Sequence, residues 1–160
     1  MNDTINETSA VKLIKVKTRD FDEIEIPENE IITFTKGIFA FDEYFKYVLL
    51  APLGENKFPM WLQSIDNENL CFIIFNPLEC CPDYKVTLSK DEKTLLALEP
   101  GEEQYVEYLV IAVIPEKYSD TTVNLKSPIA VNTLNNRALQ VIAPENYPIK
   151  YPLFVKKEEN

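Results

Sequence analysis

The chain predicts an all-β fold, mainly antiparallel and closed into a compact barrel-like single domain with one short helix. Three observations carry that expectation. Short runs rich in Val, Ile, Tyr and Phe alternate with turn residues along most of the 160 residues. Some of those runs are apolar on both faces, as central strands are. A Ser89-to-Glu92 capping-box spacing ahead of TLLAL marks the helix.

In order, VKLIKVK (11–17), DEIEI (22–26) and IITF (31–34) read as strands, followed by YFKYVLLA (44–51) and MWLQSI (60–65). The segment PLGENKFP joins the last two, with prolines and a glycine as turn markers. LCFIIF (70–75) and QYVEYLVIAVI (104–114) are nearly all apolar, so they are expected at the centre. Asn76 with Pro77, and Pro115, stop them, because proline cannot continue a hydrogen-bonded ladder. The helix after Ser89 is expected to end at Pro100 and Gly101. TVNL, PIAVN and ALQVIA (138–143) complete the sheet, with TLNNR as the turn between the last two. Residues 1–10 read as a flexible leader, 11–155 as the domain and 156–160, KKEEN, as a charged tail.

Charge sets the class of partner. With 26 acidic and 16 basic residues the formal net charge is -10, a field that opposes direct binding to nucleic acid or to an anionic membrane and attracts a basic protein. The polar start MNDTINETSA and the lack of a long apolar run predict no membrane span and a cytoplasmic protein. Three cysteines, Cys71, Cys80 and Cys81, make an odd set with one adjacent pair, a poor disulfide or metal framework.

The chain contains no histidine, which removes Ser-His and Cys-His nucleophile activation and most mixed zinc sites. Three scattered glycines cannot cradle a phosphate. Asp66 with Glu68, and Glu102 with Glu103, are the obvious candidates for a carboxylate pair, and turn residues surround them. No catalytic residue, metal or cofactor is therefore expected. The alternative is a carboxylate-dependent hydrolase or a small-ligand-binding β-barrel.

More telling are polar residues set inside apolar strands. Gln63, Ser64, Asn124, Asn132 and Gln140 need buried partners, since each unsatisfied group costs roughly 1–3 kcal/mol. In NLKSPIAVN (124–132), Asn124 can close an Asx turn, Pro128 fixes φ where the strand begins and Asn132 can start the next turn. A kink of this kind also leaves a strand edge open to a partner. In GIFAF, Phe39 alternates out of phase with Ile38 and is expected to face outward as a partner anchor.

Several of these stretches occur together in one known family. FTKGIFAF (34–41), LQS (62–64), CFIIFNP (71–77), PDY (82–84), NLKSPIAVN (124–132) and RALQV (137–141) follow its order, and over roughly residues 12–154 the chain resembles the FliW family of flagellar assembly factors. Ala40 and Ala138 stand where that family commonly has glycine, which puts turn geometry in question at both points.

The resemblance implies a non-enzymatic barrel that binds flagellin as a chaperone. When free, such a protein binds and antagonises CsrA, an RNA-binding regulator that represses translation of flagellin mRNA. It also adds residues to the expected partner surface. To Phe39 and Phe41 it joins Asp83 and Tyr84 of PDY, then Asn124, Lys126, Ser127, Pro128 and Asn132, and finally Arg137.

Overall fold

The computed structural model describes residues 11–154, so the expected leader and charged tail lie outside the described residues. The first strands are β1 (Leu13–Lys17), β2 (Glu23–Pro27), β3 (Ile32–Phe34), β4 (Lys46–Leu50), β5 (Met60–Ser64) and β6 (Cys71–Phe75). Helix α1 (Pro77–Cys80) and helix α2 (Lys90–Leu95) follow. β7 (Val106–Val113), β8 (Thr122–Val123), β9 (Ile129–Asn132), β10 (Arg137–Gln140) and β11 (Tyr151–Pro152) complete the chain.

The strands run in the order β11-β8-β7-β6-β5-β4-β3-β10-β9, and β9 also pairs with β7, which closes the ring from β7 round to β9. All pairs are antiparallel except β3 with β10, where Thr33 lies opposite Arg137 and Phe34 opposite Ala138. The expected barrel is thus present, with one parallel seam.

Alternation along each strand sorts the core into an inner and several outer layers. Phe34, Tyr47, Leu62, Ile74, Leu109, Ile129 and Val131 fill the barrel, where a ligand-binding barrel would keep its cavity. Outside, the β1–β2 hairpin lays Val16 and Ile26 on Val48 of β4. On the opposite side the segment from Tyr84 to Leu98 crosses β7, β9 and β10, burying Leu88 and Leu96 against Ala130, Leu139 and Val141. This second covering is why β6 and β7 are apolar on both faces.

The capping box forms as expected: the Glu92 N–H donates to Ser89 Oγ at 3.1 Å and the Ser89 N–H to Glu92 Oε1 at 2.8 Å. Helix α2 nevertheless stops at Leu95, short of Pro100, with Leu96 buried and Ala97 in the left-handed region at φ 54°. Helix α1 was not expected. Asn76 reads as a strand stop, but its side chain also caps this short helix by accepting the Leu78 N–H at 3.0 Å, with Pro77 in the first turn. All three cysteines are free thiols, and burial pushes Cys71 up to about 11 and raises Cys80 as well.

Candidate partner-binding site

The register brings the loop after β3, the end of β10 and the start of β9 to one mouth of the barrel. Two positive-φ residues shape the loop. Gly37 has φ 75°, and a Cβ there would lie 2.7 Å from the Asp42 Cα, so only glycine fits. The Phe41 N–H donates to the Ile38 carbonyl at 2.7 Å around Ala40, which is held at φ 71°. Ala40 therefore holds this turn at a cost in strain that glycine would not bear. Ala138 poses no such question, since it is a buried strand residue of β10.

This turn sends Ile38 into the core at 2% exposure and leaves Phe39 at 49% and Phe41 at 39%. The Phe41 ring meets Phe72 edge-on at 5.5 Å, and the Phe39 N–H donates to Gln140 Oε1 at 2.8 Å. Gln140 Nε2 in turn donates to the Ser127 carbonyl at 3.1 Å. One buried amide thus joins the aromatic loop to the polar kink. Asn124 does close its turn, accepting the Ser127 N–H at 3.0 Å, and Lys126 Nζ donates to the Glu145 carbonyl at 3.0 Å.

The remaining sequence-selected residues part company. Pro128 is buried at the start of β9, whereas Asn132 lies at the far end of the same strand, fully buried, with Nδ2 donating to the Leu96 carbonyl at 2.9 Å. Tyr84 is buried under the outer layer and donates to the Leu125 carbonyl at 2.6 Å, while burial raises its hydroxyl pKa. These three side chains are placed to set shape, with little or no surface to offer a partner. Asp83 and Arg137 are exposed, and Arg137 lies opposite Asn132 at the end of β10 away from the mouth.

Gln63 repeats the pattern at a second place. Its Oε1 accepts the Arg19 N–H at 2.9 Å, and its Nε2 faces the carbonyls of the 64–70 turn, so it ties the hairpin to β5. The carboxylate pairs are held locally: Glu102 Oε1 accepts the Glu99 N–H at 2.9 Å, Glu103 meets Lys93 at 3.5 Å, and Asp66 and Glu68 are exposed. Among the described residues no His, Cys, Asp or Glu cluster is arranged to hold a metal, and no helix is long and apolar enough to cross a membrane.

Sequence reasoning missed a cleft of about 510 Å³ beside β7, walled by Phe58, Leu78, Tyr84, Val86 and Tyr108. The signal in the sequence is Pro77 directly after an apolar strand, a residue that both stops the strand and can open a helix.

Comparison with known proteins matches this architecture. The FliW protein family model covers residues 15–153. A flagellar assembly factor FliW of Caldanaerobacter subterraneus subsp. tengcongensis is 36% identical over 141 residues, covering 88% of this chain and 93% of its own. One from Caldicellulosiruptor bescii is 39% identical over 141 residues, covering 87% and 90%. A crystal structure of the flagellar assembly factor FliW superposes with a TM-score of 0.82 at 33% identity, covering 91% of this chain and all of that one. With a matching family model across the barrel and relatives at this level of identity, the chain belongs to the FliW family of flagellar assembly factors.

Proposed function

We propose that this protein works by occupancy in the cytoplasm. It holds flagellin before export and, when free of it, captures a CsrA-type RNA-binding regulator, so that flagellin mRNA is translated only as fast as flagellin leaves. No bond is made or broken, and no metal or cofactor takes part.

The observation that best supports this reading is the barrel mouth, where Phe39 and Phe41 stand exposed on a loop held by a buried glutamine. Exposed aromatics on a rigid frame suit the apolar face of an unassembled subunit. Charge supports the second partner. An RNA-binding regulator carries basic surface, and a body of net charge -10 attracts it and repels RNA phosphates within a Debye length of about 8 Å.

A competition pull-down tests the scheme. Immobilised protein is loaded with CsrA, and flagellin is titrated in. Release of CsrA as flagellin binds is the expected result; retention of neither protein, or turnover of a metabolite by pure material, would overturn it. CsrA affinity that does not change between low and physiological salt would remove the electrostatic part. Phe39→Ala binding flagellin as well as the parent would remove the aromatic part.

A further inference from the structure

The cleft beside β7 is more than an apolar hollow, because one of its walls is a strand edge. The β6–β7 ladder ends at Phe75 opposite Val110, and the chain then leaves as α1, since Pro77 has no N–H to continue it. The first half of β7, Val106–Leu109, is paired on its other edge with β9. Among the described residues no strand lies along the edge that β6 vacates, and Val106, Tyr108 and Leu109 line the cleft there.

Antiparallel alternation fixes which backbone groups face it. The Thr133 N–H donates to the Tyr105 carbonyl across the β9 side, so Glu107 and Leu109 direct their groups to β9. Tyr108 therefore turns both its N–H and its C=O to the cleft, and Val106 its C=O, while the Val106 N–H closes on Glu103. Beyond that edge Phe58, Leu78, Tyr84 and Val86 give apolar wall beside Asn56, Asn76 and Lys85, with Leu78 53% exposed.

Charge selects among occupants. Glu107 and Lys85 line the cleft, and Glu55, Glu79 and Asp83 against Lys57 are exposed next in sequence to lining residues, so the local balance has the sign of the whole chain. The edge is walled on both sides, which suits a single strand better than the folded edge of a second copy.

We infer that the cleft is a strand-addition site, in which an extended segment of a partner protein, apolar at alternate positions and flanked by Lys or Arg, pairs with Val106–Leu109 in the place β6 leaves. Four residues span about 13 Å, so the pairing segment is short. The inference rests on reading the chain as a binder of protein partners. It does not depend on which partner binds at the mouth.

The test uses the full chain labelled with 15N and the peptide acetyl-Lys-Thr-Val-Thr-Val-Thr-Lys-amide. The expected result is peptide-dependent shifts centred on Val106–Leu109 and about tenfold slower exchange of the Tyr108 amide at saturation. N-methylation of both valines is expected to weaken binding by about tenfold or more, because it removes the donors a ladder needs. Leu78→Gln, at an exposed position, is expected to weaken it by several-fold.

Four outcomes overturn the inference. They are shifts only outside the cleft, equal binding of the N-methylated peptide, tighter binding of an alanine-based helical peptide of the same charge, and no binding at about 1 mM. Tyr108 protection that rises with protein concentration alone would assign the edge to a second copy and overturn it too. Neither flagellin nor CsrA is present, so failure here and failure of the pull-down are separate results.

Discussion

Gln140 receives the Phe39 N–H at 2.8 Å across 101 residues of chain, and the same side chain donates to Ser127 at 3.1 Å. The exposed aromatic is thus positioned by an amide that is itself 8% exposed. Gln140→Ala is expected to cost about 1–3 kcal/mol in urea unfolding, from the buried groups left unpaired. It is also expected to speed amide exchange at Phe39. Gln140→Glu keeps the acceptor but sets a buried carboxylate oxygen against the Ser127 carbonyl, so near pH 7 it is expected to cost at least as much as alanine. Equal stability of all three would show that the bridge is dispensable.

Ala40 and Gly37 give opposite expectations within one turn. Ala40 sits at φ 71°, a region that costs a non-glycine residue about 1–2 kcal/mol, offset in part by the extra unfolded-state freedom of glycine. Ala40→Gly is therefore expected to raise stability by a few tenths to about 1 kcal/mol. Gly37→Ala adds a Cβ 2.7 Å from the Asp42 backbone, in the same unfavourable region of φ. It is expected to lose more than about 1 kcal/mol. Thermal melts of both variants check the pair; a destabilised Ala40→Gly would contradict the strain.

Burial separates two residues that the sequence placed on one surface. Asn132 is fully buried and bonds both the Leu96 carbonyl at 2.9 Å and the Leu134 N–H at 3.0 Å, so Asn132→Ala is expected to cost about 2 kcal/mol. Phe39→Ala, at a half-exposed position, is expected to stay within about 1 kcal/mol of the parent and to weaken partner binding instead. Chemical unfolding beside a flagellin-binding assay distinguishes them. A destabilised Phe39→Ala with unchanged binding would move Phe39 into the fold.

Asp20 offers a pH readout through Trp61, the only tryptophan in the chain. Its carboxylate is held below the usual range chiefly by the hydrogen bond from Arg19, and it also accepts the Trp61 indole N–H at 2.9 Å. A lowered folded-state pKa means that the contribution is complete above the unfolded value of 3.8 and is lost as pH falls through the folded value. Trp61 emission is expected to stay level on acidification to about pH 4 and to change only below it. In Asp20→Asn that step should vanish, at a cost under about 1 kcal/mol near pH 7 because the pair is largely solvated. A step at pH 5 or above would reverse the sign.

Much of this fold was legible because strand signals are local. Alternation in VKLIKVK places Val16 inward, and continuous apolar runs in LCFIIF and YLVIAV mark strands covered on both faces. The Ser89 capping box also depends only on neighbours along the chain. The helix end was misjudged because Leu96 is drawn into the core beside Ala130, a contact no local propensity encodes. At the candidate site, Phe39 was legible as outward from its phase against Ile38. That Asn132 needs a buried partner was legible, but its partner, the Leu96 carbonyl, and the burial of Tyr84 against Leu125 were not, because the segment from Tyr84 to Leu98 comes from elsewhere in the chain.

By itself, the order of residues determined an acidic, histidine-free β protein, the positions of its strands and the residues that make its turns. Only the tertiary structure decided that β10 lies beside β3, that Asn132 is buried at the far end of β9 while Asn124 closes the turn that precedes it, and that, among the described residues, the first half of β7 keeps an edge with no strand beside it. Periodicity and turn chemistry are written within a few residues. Which strand lies beside which is settled by side chains that meet across a hundred, when the whole apolar surface is buried at once.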